Sequence, residues 1–191
     1  PTLNLDILEV SFRNLKRWNI LETPQRLEMV HRILGFQRKL VESGAFKNPR
    51  SHIYYLPELY SAYFGRCHAA FMALPDAARQ AIDPDGAFAF IRGKVLAYVE
   101  GELIAREMNP FDAALALMAL AHLGADASTF TPALNCIVSH LGEGGRHRPY
   151  KAYEWNKMKT PTRILVGGPE VTSAFVLMGL ALARKKLANG E

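Results

Sequence analysis

The sequence has few cysteines, no long apolar run and no recognisable leader. Two cysteines among 191 residues cannot form a disulfide framework. No stretch reaches the roughly 18 consecutive apolar residues that a membrane-spanning helix needs. The first residues also lack the basic segment and apolar stretch of a secretory signal. These absences exclude a disulfide-rich protein and a membrane span, and we expect a cytoplasmic protein.

Familiar catalytic and cofactor motifs are absent as well. The sequence contains no P-loop, no G-x-G-x-x-G, no H-E-x-x-H and no G-x-S-x-G. It therefore gives no indication of a nucleotide cofactor, a zinc-protease centre or a hydrolase nucleophile. We predict no cofactor and no metal ion.

What the sequence does contain is an ordinary globular composition with one concentrated charge. Its hydrophobic fraction is 49% and its charged fraction 21%, so we expect a single domain over residues 1–191 with a sizeable core. The net charge is +5. Residues 146–163 hold six basic side chains and one acidic one, which places the whole excess in a single segment.

Apolar residues recur at helical spacing, and strand-like alternation is rare, so the pattern predicts an all-α fold. Helix starts are marked by proline, and helix ends are marked by glycine. A turn is expected at Asp83-Pro84-Asp85-Gly86. The predicted helices cover residues 3–18, 24–42, 57–73, 88–106, 111–122 and 169–187, with another starting at Pro75-Asp76 and a further one within 126–141.

An internal repeat points to stacked helical hairpins. Residues 117–120 read Leu-Met-Ala-Leu and residues 177–180 read Leu-Met-Gly-Leu, and Ala114 and Ala174 match at the same offset. Helices starting near residues 5, 57, 111 and 171 recur at intervals typical of helical repeats. We therefore expect two layers, with apolar helices inside and amphipathic helices outside. The helices at 111–123 and 169–183 are apolar nearly all round, which predicts burial on every side.

These segments resemble the inner helices of the α/α-toroid of terpenoid cyclases and protein prenyltransferases. The resemblance lies in residues 109–120 and 168–177, and in Gln37 followed by Gly44-Ala45-Phe46, which is similar to the family's glutamine-to-aromatic repeat. It implies helical hairpin repeats in a toroid-like domain. The chain has about half the helices of a full toroid, so the resemblance implies a partial toroid or one completed by a second copy.

The resemblance also implies an isoprenoid or other apolar, possibly phosphorylated, ligand. Catalysis is left open; an enzyme of this kind would be a terpene cyclase or a prenyltransferase. Triterpene cyclases use D-x-D-D, and Asp83-Pro84-Asp85-Gly86 lacks the final acid, so that role is not transferred. Asp112 falls at the aspartate of the prenyltransferase zinc site, but Ala114 and Thr172 stand at the other two ligand positions.

Asp112 and Glu170 are the candidate catalytic residues. Each stands at the start of a very apolar helix, where a carboxylate is stabilised by the helix dipole and caps free N–H groups. If these helix ends border a cavity, burial would raise a pKa enough for general acid catalysis. Capping and ion pairing are the alternative interpretations.

Candidate ligand-binding residues come from the basic segment and from a separate group of aromatic residues. The basic segment would bind phosphate, unless it is only a solvated loop whose charges face water. Arginine binds phosphate with two parallel hydrogen bonds, and lysine adds a point charge. The aromatic rings would line an apolar pocket or stack on the ligand, unless they simply pack in the core. The candidates are Arg146, Arg148, Lys151, Arg163, Tyr54, Tyr55, Tyr63 and Trp155.

Cys67-His68 together with Cys136 and His140 has the residue types of a zinc site. Lanthipeptide cyclases, which are also toroids, use an adjacent cysteine and histidine plus another cysteine. Their glycine-rich signatures are absent here, and we favour buried free thiols and ordinary histidines.

A second function stays open beside ligand binding. A helical-repeat scaffold would hold a protein or nucleic-acid partner on its open edge or basic segment. We expect a homodimer or a second toroid half as the partner, and we do not favour nucleic acid. A closed apolar pocket beside cations would favour the ligand, and a filled core would favour the scaffold.

Overall fold

A computed structural model describes residues 2–48, 57–142, 153–156, 163–166 and 169–188. Within these ranges the fold is of the all-α class, as predicted, and no helix there is long and apolar enough to cross a membrane. The helices described are α1 (Thr2–Arg13), α2 (Pro24–Glu42), α3 (Pro57–Met72), α4 (Asp76–Ile82), α5 (Ala87–Tyr98), α6 (Pro110–Leu123), α7 (Thr131–Ser139) and α8 (Pro169–Ala188). Single 3-10 turns cover Ala45–Lys47 and Ala127–Phe130, and a π-helical turn, Val99–Leu103, extends α5.

The capping residues predicted from the sequence set the helix bounds. Asn109 Oδ1 accepts hydrogen bonds from the backbone N–H groups of Phe111 and Asp112, at 2.9 and 3.0 Å, at the start of α6. Gly124 ends that helix with a φ of 69°, a conformation that glycine adopts without strain. Similar signals at Pro24 and Gly44 bound α2 within one residue of its predicted range.

The turn at residues 83–86 is a capping structure. Asp83 accepts hydrogen bonds from the N–H groups of Ala87 and Phe88, at 2.7 and 2.9 Å, and so caps α5. Gly86 has a φ of 67°. The predicted turn is confirmed, and Asp83 has a structural role in it.

Helix α1 ends at Arg13, five residues before its predicted end. A series of turns follows, with Asn19 at a φ of 42°, and Ile20 is buried below it. Trp18, which the helical pattern placed on the apolar stripe, is 38% exposed. The prediction that residues 14–18 are helical was wrong. The chain leaves the helix after Arg13 to bury Ile20, although apolar residues continue at helical spacing as far as Trp18.

Four helices pack side by side in the order α1, α3, α6, α8. These are the helices from which the repeat was inferred. Small residues allow them to approach closely. A Cβ added to Gly65 would lie 3.4 Å from the Cα of Ala119, and one added to Gly179 would lie 2.9 Å from the carbonyl oxygen of Ala114. Ala119 and Gly179 are the matching positions of the repeat, so in each case the repeated residue contacts the preceding helix of the row.

Helix α6 lies in the middle of this row and is the centre of the core. Every residue from Ala113 to Leu120 is buried, as the sequence predicted. Helix α8 is different, because it is the last helix of the row. It buries Thr172, Val176, Gly179 and Ala183, while Leu177 and Met178 are 68% and 45% exposed. The prediction that α8 is buried on every side was wrong.

Gln37 and Phe46, the predicted glutamine-to-aromatic pair, both contact Tyr60 in the core. Tyr60 donates a hydrogen bond from Oη to Oε1 of buried Gln37 at 3.0 Å. Phe46 packs against the ring of Tyr60, with centroids 5.6 Å apart, and against Tyr98 at 5.5 Å. Gln37 and Phe46 therefore share Tyr60 as a neighbour and fix the end of α2 against α3.

Within residues 142–168, where no periodicity was found, a short antiparallel pair is formed by β1 (Tyr153–Asn156) and β2 (Arg163–Val166). Tyr153 pairs with Val166, and Asn156 pairs with Arg163. The pair adds a hairpin to an otherwise helical fold.

Candidate functional site

A cleft of about 1060 Å³ lies at one end of the helix row. The C-terminal parts of α3, α6 and α8 border it together with α4 and the first half of α5. Its volume is that of a site for a small organic molecule. The lining residues are His68, Ala69, Phe71, Met72, Asp76, Arg79, Gln80, Asp83, Phe88, Ala89, Arg92, Ala121, His122, Leu123, Gly124, Leu182, Lys185 and Lys186.

Aromatic rings form the floor of the cleft. Phe71 and Phe88 are stacked, with centroids 4.1 Å apart and planes 14° apart. Phe12 packs against both rings from α1 at 5.8 Å. Met72 and Leu182 add apolar surface. Phe71 and Phe88 are almost fully buried, so they support the floor from below, and the apolar surface open to the cleft comes mainly from side chains around them such as Met72 and Leu182.

Basic side chains outnumber acidic ones around this floor. Asp83 caps α5, and Asp76 is paired with Arg79 on the same helix. Arg92 donates a hydrogen bond from Nε to the carbonyl oxygen of Leu123 at 2.8 Å. Leu123 is the last residue of α6, so its carbonyl has no partner within the helix. Neither Arg92 nor Lys185 forms an ion pair with a carboxylate of the described residues. An anion is the chemical group that would neutralise them.

Two histidines lie beside these cations. Burial, and after it the charge of the neighbouring Arg92 guanidinium, lowers the pKa of His68 to about 4. The ring of His68 is hydrogen-bonded to the backbone of His122, and its Nδ1 is buried without a partner in the described structure. Burial also lowers the pKa of His122, with Arg66, Arg13 and Lys185 acting in the same direction and Glu9 opposing them. Both rings are therefore neutral at pH 7.

Asp112 belongs to a separate polar cluster at the other end of α6. Its carboxylate accepts a hydrogen bond from Asn109 Nδ2 at 2.9 Å and lies 3.7 Å from Arg106 Nη2. Arg106 also binds the buried carboxylate of Glu58. Burial, then the charge of Glu58, raises the pKa of Asp112 to about 6, although Arg106 opposes the shift. Asp112 also supports the cap of α6 through its hydrogen bond with Asn109.

The Asp112 cluster and the cleft are distinct. Asp112 and His122 are ten residues apart on α6, which corresponds to about 15 Å along the helix axis. The Asp112 carboxylate does not line the cleft. A ligand in the cleft would therefore not meet Asp112, and its role as a general acid stays a prediction.

The other predicted site residues are scattered or outside the described residues. Glu170 is exposed in the first turn of α8. Tyr63 is half-buried beneath Arg66, whose guanidinium lies 5.3 Å from the ring centroid. Tyr54, Tyr55, Arg146, Arg148 and Lys151 lie outside the described residues. Trp155 is in β1 and Arg163 in β2, where the structure describes only the backbone.

The cysteine and histidine residues form no metal centre in the part of the chain that the structure describes. Cys67 is fully buried on α3. Cys136 on α7 donates from Sγ to the carbonyl oxygen of Met108 at 3.1 Å and lies 3.9 Å from Nδ1 of His140. Burial raises the pKa of both thiols. The interpretation as free thiols and ordinary histidines fits this arrangement.

Sequence reasoning missed the main polar side chains of the cleft. Arg92, His122 and Lys185 lie on three different helices, and no linear motif connects them. One signal was present: His68, His122 and Lys185 all stand near the C-terminal ends of helices that belong to the repeat. Extending the repeat to those helix ends would have brought these residues together.

Comparisons with models of protein families, with curated proteins and with solved structures gave no match. The likeness to terpenoid cyclases and prenyltransferases therefore stays a prediction, as does the closure of the helix row into a toroid. The shape and charge of the cleft are the guide to function that remains.

Proposed function

We propose that this chain binds a small amphipathic anion in the cleft, with an apolar body on the apolar side chains of the floor and an anionic head at Arg92 and Lys185. The observation that carries the proposal is the pair of cations without carboxylate partners among the described residues, beside the Phe71 and Phe88 stack. Arg92 is half-buried and Lys185 is exposed, and cations at the edge of an apolar cleft are well placed to bind an anionic ligand.

The ligand class matches the one that the sequence predicts. An isoprenoid diphosphate is an amphipathic anion, and a phosphate group accepts hydrogen bonds from several donors at once. The proposal changes the binding residues from the basic segment at 146–163 to the cleft. It assigns no catalytic step, and a terpene cyclase or prenyltransferase reaction stays a prediction.

Calorimetric titration with octyl phosphate tests this proposal. We expect the wild-type protein to bind octyl phosphate and the Arg92→Gln/Lys185→Gln variant to bind it at least roughly tenfold more weakly, because a charge-assisted hydrogen bond contributes about 1.5–3 kcal/mol. The matched control is Arg32→Gln, which removes an exposed guanidinium paired with Glu28 on α2. This control should bind like the wild type.

Two further measurements locate the head group. Octanol has the same chain without the charge and should bind far more weakly than octyl phosphate. Alanine at Arg146, Arg148, Lys151 and Arg163 together should leave the affinity unchanged. If the fourfold alanine variant loses affinity while the Arg92→Gln/Lys185→Gln variant binds normally, the ligand binds at the basic segment and the assignment to the cleft is wrong.

A second candidate function is the scaffold, and one observation favours it. Helix α8 ends the row with an exposed apolar stripe that includes Val171, Leu177 and Met178, and α1 at the other end exposes Leu3 and Val10. Exposed apolar stripes on helices are typical of association surfaces. The partner that suits a repeat row is a second copy of the chain, which would continue the row with the same kind of helix.

A further inference from the structure

His122 is the titratable group best placed to sense a ligand in the cleft. It stands in the last turn of α6, is half-buried and lines the cleft. Its ring has no hydrogen-bond partner among the described residues. Its backbone is hydrogen-bonded to the ring of His68, so the two residues hold each other in place.

The charges around His122 are mostly positive. From α1 and α3, the carboxylate of Glu9 is paired with Arg13 at 3.0 Å and with Arg66 at 2.8 Å, so two cations surround one anion. Lys185 approaches from α8, and Arg92 from α5 faces the adjoining His68. The remaining charged groups bordering the cleft are Asp76, Arg79, Asp83 and Lys186. A proton on His122 therefore meets repulsion until an anion enters.

We infer that His122 takes up a proton when an anion occupies the cleft, so that the site binds its ligand more tightly as the pH falls. This inference rests on the proposed function and adds pH regulation to it. The protonated ring would become a third cationic donor for the head group, next to Arg92 and Lys185. Three converging donors suit a sulfate or phosphate ester, which has more acceptor oxygens than a carboxylate.

The direction of the effect follows from linkage. In the free protein, burial and the neighbouring cations hold the pKa of His122 below its usual value of 6.5. An anion beside the ring cancels this repulsion and raises the pKa. At pH values between the pKa of His122 in the free protein and its pKa in the complex, the complex binds more protons than the free protein. The affinity for the anion therefore increases as the pH falls through that interval.

The test uses octyl sulfate, whose charge is constant between pH 5 and 8. Titrations at one pH in buffers of different ionisation enthalpy give the number of protons taken up on binding. We expect net proton uptake on binding and several-fold tighter binding at pH 5.5 than at pH 7.5, since a one-unit rise in pKa strengthens binding by at most about tenfold. In His122→Gln both the uptake and the pH dependence should be lost.

The control is His31→Gln, which changes an exposed histidine bonded to the carbonyl oxygen of Ala81. It should keep the wild-type pH dependence. Binding without proton uptake, or an unchanged pH dependence in His122→Gln, overturns this inference and leaves the proposed function intact. Absence of octyl sulfate binding to the wild type at every pH overturns both. If His122→Gln does not fold, NMR titration of the His122 ring resonances in the wild type gives the pKa directly. Equal pKa values with and without octyl sulfate contradict the inference.

Discussion

Two aspartates near helix starts show how local surroundings change the acidity of a single residue. Asp112 is buried beside Glu58, and its pKa is raised to about 6. Asp126 is exposed and accepts a hydrogen bond from the N–H of Ser128 at 2.8 Å, which lowers its pKa. Both sequence positions look alike, with an aspartate at the beginning of a helical segment. Burial accounts for the difference.

Replacing Asp112 with Asn tests this interpretation. The folded protein holds the Asp112 proton up to about pH 6, whereas the unfolded chain loses it near pH 4, so the contribution of Asp112 to the free energy of unfolding falls between these values. The fall amounts to about 3 kcal/mol. Urea unfolding from pH 4 to 7 should therefore show the stability of Asp112→Asn rising relative to the wild type as the pH increases.

The control variant is Asp126→Asn, for which the sign is opposite. The lowered pKa of Asp126 stabilises the fold above pH 4, and this contribution is lost as the pH falls below that value. With the titration extended below pH 4, Asp126→Asn should lose stability relative to the wild type as the pH rises towards 4, and the difference should then stay nearly constant up to pH 7. If the stability difference between Asp112→Asn and the wild type does not change with pH, the pKa of Asp112 is not raised in the folded protein.

At the level of elements, the row of helices depends on small residues at the crossing points. Gly179 on α8 meets the backbone of Ala114 on α6, and Gly65 on α3 meets Ala119. Ala114, Ala119 and Gly179 all belong to the sequence repeat. The repeat by itself does not give them a role, because a small residue in a helical segment has no particular neighbour until the helices cross.

Gly179→Ala is the corresponding test. The added Cβ would lie 2.9 Å from a backbone oxygen that cannot move independently of α6, and forced overpacking of this kind costs about 1–3 kcal/mol. Gly35→Ala on α2 is the matched control, since nothing lies within 4 Å of its added Cβ. The control should gain up to about 1 kcal/mol from helix propensity. Urea unfolding that finds Gly179→Ala as stable as Gly35→Ala would contradict the close crossing.

At the scale of the whole molecule, the row α1, α3, α6, α8 has two ends with different surroundings from its middle. Helix α6 is covered on both sides by α3 and α8. Helix α8 has α6 on one side and exposes Leu177 on the other. In a repeat architecture the terminal units bury less apolar surface than the internal ones, so the outer side of α8 is open to a further neighbour.

Self-association through α8 makes a direct prediction. Native mass spectrometry should show a dimer for the wild type and a monomer for Leu177→Glu, because a carboxylate in the middle of the stripe would be buried without a partner. Val138→Glu on α7 is the control, with a side chain as exposed as Leu177 on another helix. It should remain a dimer. A monomeric wild type would overturn association of two copies by this surface.

Most of the secondary structure could be predicted from the sequence by itself. Proline, asparagine, aspartate and glycine at helix ends act through local hydrogen bonds and backbone geometry, so their effect is visible in a few neighbouring residues. The burial of α6 followed from the composition of its own segment. The hairpin of β1 and β2 was missed because strands of four residues give too short a pattern for periodicity to be recognised.

Only the tertiary structure decided which side chains meet. Arg92, His122 and Lys185 come together because α5, α6 and α8 end or pass at one end of the row, a property of packing between residues far apart in sequence. Likewise, α8 leaves part of its apolar surface exposed because it lies at the edge, which its own composition could not reveal. The sequence determined where helices begin and end through local interactions, whereas the cleft, its charge and the lowered pKa values of its histidines arose from contacts between distant residues.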